Sequence, residues 1–225
     1  MTEIELDAKQ ATGLQIRIDS GEVNTTGQSN GGKVVLSYGY FRAGQEVLQE
    51  PDMTPDFRLQ SSQQVVLQQT PEQITRARSA GAELRVTLSL PGTMSLLQSR
   101  LENGTLSARG IKGLEISLNS GTVQATSNDG GYNLSLRSGT VGLSGIAAGF
   151  AHRIAVEAGT VTLAASSLLP LVQAEVMQGV IQGDYQGRLE RLGMSGWRLV
   201  PTEVDPHTSI ECRVSTGTIM LRKTG

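Results

Sequence analysis

Apolar and polar residues alternate singly along much of the chain, and a glycine interrupts the alternation at regular intervals. The recurring phrase is apolar-x-apolar-x-apolar-x-x-Gly-Thr-apolar, clearest in Leu114-Glu115-Ile116-Ser117-Leu118-Asn119-Ser120-Gly121-Thr122-Val123. It returns as Leu134 and Leu136 leading to Gly139-Thr140-Val141, and as Ile154 and Val156 leading to Gly159-Thr160-Val161. Other copies end in Gly21-Glu22-Val23, Gly104-Thr105-Leu106, Gly179-Val180-Ile181 and Gly217-Thr218-Ile219. A period of two marks a strand with one buried face, and glycine suits the corners because it reaches positive φ without steric cost. Two short strands and a corner cannot make a core alone, but stacked copies can. The pattern therefore predicts an all-β chain, a parallel β-solenoid or β-helix with coils of about 18–20 residues. Its structural corner glycines are expected at Gly21, Gly104, Gly121, Gly139, Gly159, Gly179 and Gly217.

The interval from Gly179 to Gly217 is close to twice the usual spacing and is expected to hold one degenerate coil. An echo at an offset of 100 residues, Gly13 to Val23 against Gly113 to Val123, assigns the N-terminal strands to the same architecture. Two stretches break the pattern. Residues 41–81, with Pro51, Pro55, Pro71 and the run Gln63-Gln64-Val65-Val66-Leu67-Gln68, are expected to form an irregular excursion or side hairpin. Residues 183–200, with Tyr185 and Trp197, are expected to form an irregular coil. The reading is one domain over residues 1–225 with two decorations.

Composition fits narrow cores lined by small aliphatic residues: aromatics are 4%, hydrophobic residues 38%, and glycines number 27 of 225. A formal charge of −2 without any Lys/Arg run supplies no footprint for nucleic acid or for an anionic membrane surface. The longest apolar stretch, Leu168 to Val172, is too short for membrane insertion. Met1 to Asp7 is acidic and alternating, unlike a secretory leader, and Cys212 is the only cysteine. Both features predict the cytoplasm, with the cell surface as the alternative for a chain trimmed of its leader.

Candidate chemistry is sparse. The histidines are His152 and His207, neither with a second His or Cys at metal-ligand spacing, and Gly193-Met194-Ser195-Gly196 lacks the spacing of a nucleophile elbow. His152 is expected in a loop or facing outward, and His207 in a turn. Aligning Ile210, Cys212 and Val214 with Leu114, Ile116 and Leu118 turns the sulfur inward, as a packing thiol. The aspartates, Asp19, Asp129, Asp184 and Asp205 among them, are scattered, and no calcium-binding nonapeptide recurs. No catalytic, metal or cofactor residues are assigned. Thr105, Thr122, Thr140, Thr160 and Thr218 are expected to stack outward at one corner, stabilising the strands. Tyr38, Tyr40, Tyr185 and Trp197 are taken as a contact patch for a protein or glycan, with end caps as the alternative.

The run Val86-Thr87-Leu88-Ser89-Leu90-Pro91, followed by Asn103-Gly104-Thr105-Leu106, Ser120-Gly121-Thr122-Val123 and Ser138-Gly139-Thr140-Val141, resembles the bacterial putative-adhesin family, a domain of unknown function. The likeness covers residues 84 to 225 and extends to 13–40. It implies a short-coil, right-handed β-helix and no catalytic residues. The sequence departs from the family in using Thr where many members have Asp after the glycine.

The function expected is a non-enzymatic binding or scaffold module with a protein or glycan partner. The first alternative is a polymer-forming structural protein resembling bactofilins, motivated by a last repeat that finishes at Leu221-Arg222-Lys223-Thr224-Gly225 with little chain left to cover an edge open to self-association. The second, and weaker, is a carbohydrate-active β-helix enzyme, which would need converging carboxylates.

Overall fold

The computed structural model describes residues 1–28, 32–48, 51–92, 94–165 and 171–223. Strand accounts for 72% of the chain and helix for 6%. Among the described residues, fifteen strands join one sheet that does not close on itself. Its body is parallel and built from long strands: β2 (Gly13–Gln28), β8 (Leu96–Arg109), β9 (Leu114–Asn128), β10 (Tyr132–Ile146), β11 (Ala151–Ala164), β12 (Val172–Gly183) and β15 (Ser209–Arg222). In space they run β2-β8-β9-β10-β11-β15-β12.

Identical phrases fall into register, so like residues stack on like. One inward column reads Ile18, Leu101, Leu118, Leu136, Val156, Val214 and Val176, and a second reads Val23, Leu106, Val123, Val141, Val161, Ile219 and Ile181. All of these side chains are buried, each stabilising the stack by roughly 1.5–3 kcal/mol. Between the two columns the alternation slips. In β10, Arg137 to Thr140 all face outward before Val141 turns in, so the strand bends around the core there.

The seven predicted glycines lie side by side at that bend, in the order Gly21, Gly104, Gly121, Gly139, Gly159, Gly217, Gly179, with φ between 138° and 158°. A Cβ on any of the last six would enter the peptide of the preceding glycine. The threonines one residue on, Thr105, Thr122, Thr140, Thr160 and Thr218, form the adjacent outward column.

Both ends of the body are finished by antiparallel pairs. At one end β6 (Gln64–Gln68) pairs with the first half of β2, and β7 (Glu83–Pro91) with its second half. Beyond them β5 (Asp56–Ser61) pairs with β6, while β3 (Lys33–Arg42) pairs with β7, then β1 (Thr2–Asp7) and the short β4 (Gln45–Leu48) with β3. At the other end a hairpin of β13 (Gly187–Leu192) and β14 (Gly196–Pro201) pairs with β12.

Three expectations change. Residues 183–200 are not an irregular coil, and no degenerate coil fills the interval before Gly217. The interval holds the β13–β14 hairpin, turned at Gly193 (φ 67°), which lies outside β12 while β15 threads between β11 and β12. The last repeat is therefore hydrogen-bonded on both sides, and the observation behind the filament reading is withdrawn; Thr224 and Gly225 lie outside the described residues. Residues 41–81 do contain a side hairpin, β5–β6, but Val65 and Leu67 of β6 are fully buried in the main sheet. That stretch also contains helix α1 (Pro71–Ala80), absent from the sequence reading. Thr70 caps it: its hydroxyl accepts from the Gln73 N–H, the Gln73 side chain accepts from the Thr70 N–H, and Pro71 opens the first turn.

Candidate functional site

A concavity of about 780 Å³ lies on the outer face of the first strand halves. Strand alternation builds its floor: with Ile16, Leu97, Ile116 and Leu134 turned inward, Gln15 and Arg17 of β2, Gln98 and Arg100 of β8, Ser117 of β9 and Asn133 and Ser135 of β10 turn out. They form two columns in register, Gln15-Gln98-Glu115-Asn133 and Arg17-Arg100-Ser117-Ser135. Gln68, Gln69, Pro71 and Ile74 make the wall, because α1 takes the place of the glycine bend between β6 and β7.

The wall is tied down by buried polar bonds. Gln69, 4% exposed, accepts from the Asp19 N–H at 3.0 Å and donates to the Tyr40 hydroxyl at 3.3 Å. Gln73, equally buried, donates to the carbonyls of Asp52 and Thr54. The Arg78 guanidinium grips the Asp19 carboxylate through Nε, at 2.9 Å, and through a second nitrogen. The floor is held in turn by Gln98 donating to Glu115 at 2.7 Å and by the Arg100–Glu102 pair at 3.9 Å. Arg17 reaches the groove with no ion-pair partner among the described residues. Counting Arg78, the charges of Arg17, Arg78 and Arg100 balance those of Asp19, Glu102 and Glu115. The groove thus offers amides, hydroxyls and oriented charged groups at no net charge.

The expected contact residues do not assemble. Tyr38 and Tyr40 share the inward parity of Leu36 and are buried, Tyr38 donating to the Thr54 hydroxyl at 2.8 Å. Burial pushes the Tyr40 phenol above its ordinary pKa. Tyr185 is exposed and Trp197 half-buried beneath the Arg191 guanidinium, at the opposite end of the sheet. The four cannot form one patch, and the two β3 tyrosines are core.

His152 corrects another expectation: it faces inward, 1% exposed, against the Tyr132 ring at 4.9 Å. Its Nε2–H donates to the Ala147 carbonyl at 2.9 Å, and burial holds its pKa below the ordinary value. His207 is exposed, its backbone N–H donating to Asp205. Cys212 is buried between Ile154 and Ala174, its thiol pushed up to about 12 by desolvation. Ser195 sits in the β13–β14 turn, its carbonyl accepting from the Gly179 N–H. Among the described residues no three His, Cys, Asp or Glu side chains converge as a metal site. No helix among them is long and apolar enough to cross a membrane; the Leu168 to Val172 run falls largely outside the described residues.

No protein-family model matches the chain, and no curated protein does. Among solved structures, it is similar to a putative cell adhesion protein from Clostridium sporogenes, at 12% identity and a TM-score of 0.44, covering 99% of each chain. It is also similar to a putative adhesin from Bacteroides fragilis, at 11% identity and a TM-score of 0.41, covering 99% of this chain and 96% of that one.

Proposed function

We propose that the protein is a non-enzymatic binding module, a single short-coil β-solenoid that recognises a neutral glycan in the groove between α1 and the sheet. One observation carries the reading: a charge-balanced groove with a floor of side-chain amides, arginines and hydroxyls on adjacent strands. Amides and guanidinium groups present paired donors and acceptors that match vicinal sugar hydroxyls, and each such bond contributes about 1 kcal/mol net. Strands fixed in a continuous ladder hold these groups without an ordering cost at binding. A catalytic reading has less support. Asp19 is engaged by Arg78 and Glu115 by Gln98, which leaves neither as a free acid or base, and the Cys212 thiol and the imidazole of His152 are packed in the core.

The test is a neutral-oligosaccharide array probed with labelled protein and with Ser117→Trp, an exposed position in the Arg17-Arg100-Ser117-Ser135 column. Filling the groove should abolish retention while the circular dichroism spectrum stays unchanged. Retention that survives the tryptophan, or capture only of peptides on a parallel peptide array, contradicts the glycan reading.

A further inference from the structure

The groove does not stop at the concavity of about 780 Å³. A second one, of about 240 Å³, shares Arg100, Glu102, Ser117 and Ser135 with it and carries it past β10 to Arg137 and Glu157. Register explains the continuation. After Arg17-Arg100-Ser117-Ser135 the next two places in the column are Ala155 and Arg213, so the small side chains Ser117, Ser135 and Ala155 sit on consecutive strands. Longer side chains flank them, Glu115, Asn133 and Arg153 along one rim and Asn119, Arg137 and Glu157 along the other. Side chains stand roughly perpendicular to a sheet, so small ones between two rows of long ones form a trough whose axis crosses the strands. Ion pairs brace the rims without adding net charge, Arg137–Glu157 at 3.9 Å and Arg153–Glu211 at 3.6 Å. At β15 the small floor ends on Arg213, which pairs with Glu175 at 3.9 Å. The other end lies beside β2, where Pro71 and Ile74 of α1 line it.

We infer that the ligand of this trough is a linear, extended, β-linked chain of neutral sugar rings that crosses the strands from β2 to β11, one ring to each strand. The inference rests on the glycan reading above and adds the ligand's direction, length and linkage. Amides, hydroxyls and guanidinium groups recur along the floor at the strand spacing of roughly 4.8 Å, and each ring of an extended β-linked chain advances by a similar distance. An extended peptide turns a side chain to the floor only every second residue, about 6.6 Å, and cannot keep step with the rows. An α-linked chain that coils cannot follow a straight floor across five strands. In the order β2-β8-β9-β10-β11 the span is roughly 19 Å, which sets the length at about five rings.

Titration calorimetry on the full chain tests it with linear homo-oligosaccharides of glucose, mannose, galactose, xylose and N-acetylglucosamine, β-1,4- and α-1,4-linked, of one to eight rings. Affinity for at least one β-linked series should tighten by about fivefold per ring, the equivalent of one net hydrogen bond, and level off near five rings. Ala155→Trp fills an exposed place on β11 outside the concavity of about 780 Å³. It should bring the five-ring chain down to the affinity of the three-ring chain, about 25-fold, with two-ring binding and the circular dichroism spectrum unchanged. Affinity that stops improving after two rings, a five-ring chain indifferent to Ala155→Trp, a preference for the α-linked series, or retention only of branched glycans would overturn the inference and leave a glycan in the groove. Retention of no neutral glycan would remove the glycan reading and the inference together.

Discussion

Gly139→Ala, set against Gly142→Ala three residues along the same strand, separates the glycine that the stack requires from one it does not. At Gly139, φ is 140°, and a Cβ would lie 2.8 Å from the Gly121 carbonyl carbon and 3.0 Å from its nitrogen, nearer still to the oxygen. Alanine there adopts a backbone conformation nearly reserved for glycine, at about 1–3 kcal/mol. It also pushes β10 off β9, weakening a ladder bond or two at about 1 kcal/mol each. The displaced Gly139 carbonyl is the group that a Cβ at Gly159 would meet, so the disturbance reaches both neighbours. The total is roughly 2–5 kcal/mol, a large share of the ~5–15 kcal/mol that holds a typical domain. At ~2–4 °C per kcal/mol for a chain of this size, the melting temperature should fall by about 4–20 °C. At Gly142 no atom lies within 4 Å of the added Cβ, and alanine there should leave stability unchanged or raise it by about 0.5–1 kcal/mol. Thermal and urea melts followed by circular dichroism supply the comparison. Equal losses for the two variants would refute the stacked-glycine argument.

Leu136→Asp, which buries a carboxylate in a fully apolar column, should prevent folding, whereas Thr140→Ala on the outward column should cost about 1 kcal/mol or less; equal tolerance in expression and melting would contradict the inward and outward assignment. Thr70→Ala removes the α1 cap and should cost about 1 kcal/mol in a urea melt, and an unchanged midpoint would mean the wall does not depend on the capping box. Cys212 should resist a thiol reagent in the native protein and react once urea unfolds it, and rapid native labelling would contradict its burial. Because its thiol ionises near 12 when folded against 9.0 when free, stability should also fall as pH climbs above 9.0 and the unfolded chain loses the proton first. His152 has the opposite sign: its folded pKa is lowered from 6.5, so its contribution is present above that pH and is lost as pH falls through the folded value. The melting temperature of the wild type should therefore decline on acidification more steeply than that of His152→Gln, and parallel curves would contradict the assignment.

Much of the body is legible in the sequence because each repeat carries its own evidence. The parity of Leu114, Ile116 and Leu118 around Gly121 assigns inside and outside without reference to any neighbour, and the same reasoning places Cys212 in the core. Parity also places His152 with Ile154 and Val156, and Tyr38 and Tyr40 with Leu36, a signal obscured by their polar atoms. The order of strands is another matter. Gly179-Val180-Ile181 and Gly217-Thr218-Ile219 fit the place beside β11 equally well, so the local pattern cannot choose between them. Only the later hairpin, which needs a seat beside β12, decides it. The groove was hidden for a related reason. Its floor emerges only when Arg17, Arg100, Ser117 and Ser135 are set in register, and its wall is a helix of modest amphipathicity announced only by Thr70-Pro71-Glu72-Gln73 amid glutamines. Function is less legible than fold because the candidate site is made of common side chains whose arrangement, not their type, is distinctive.

Both the groove and the trough that prolongs it depend on the strand order, so the most direct measurement is a crosslinking test of the order itself. In a Cys212→Ala background, cysteines are placed in pairs at 155 and 213, at 213 and 175, and at 155 and 175, the outward positions of β11, β15 and β12 in one register. With β15 threaded between the other two, oxidation should link the first two pairs and leave the third, two strand spacings or roughly 10 Å apart, unlinked. Efficient linkage of 155 to 175 with none of 155 to 213 would place β12 directly beside β11, put Glu175 where Arg213 ends the trough, and contradict the account.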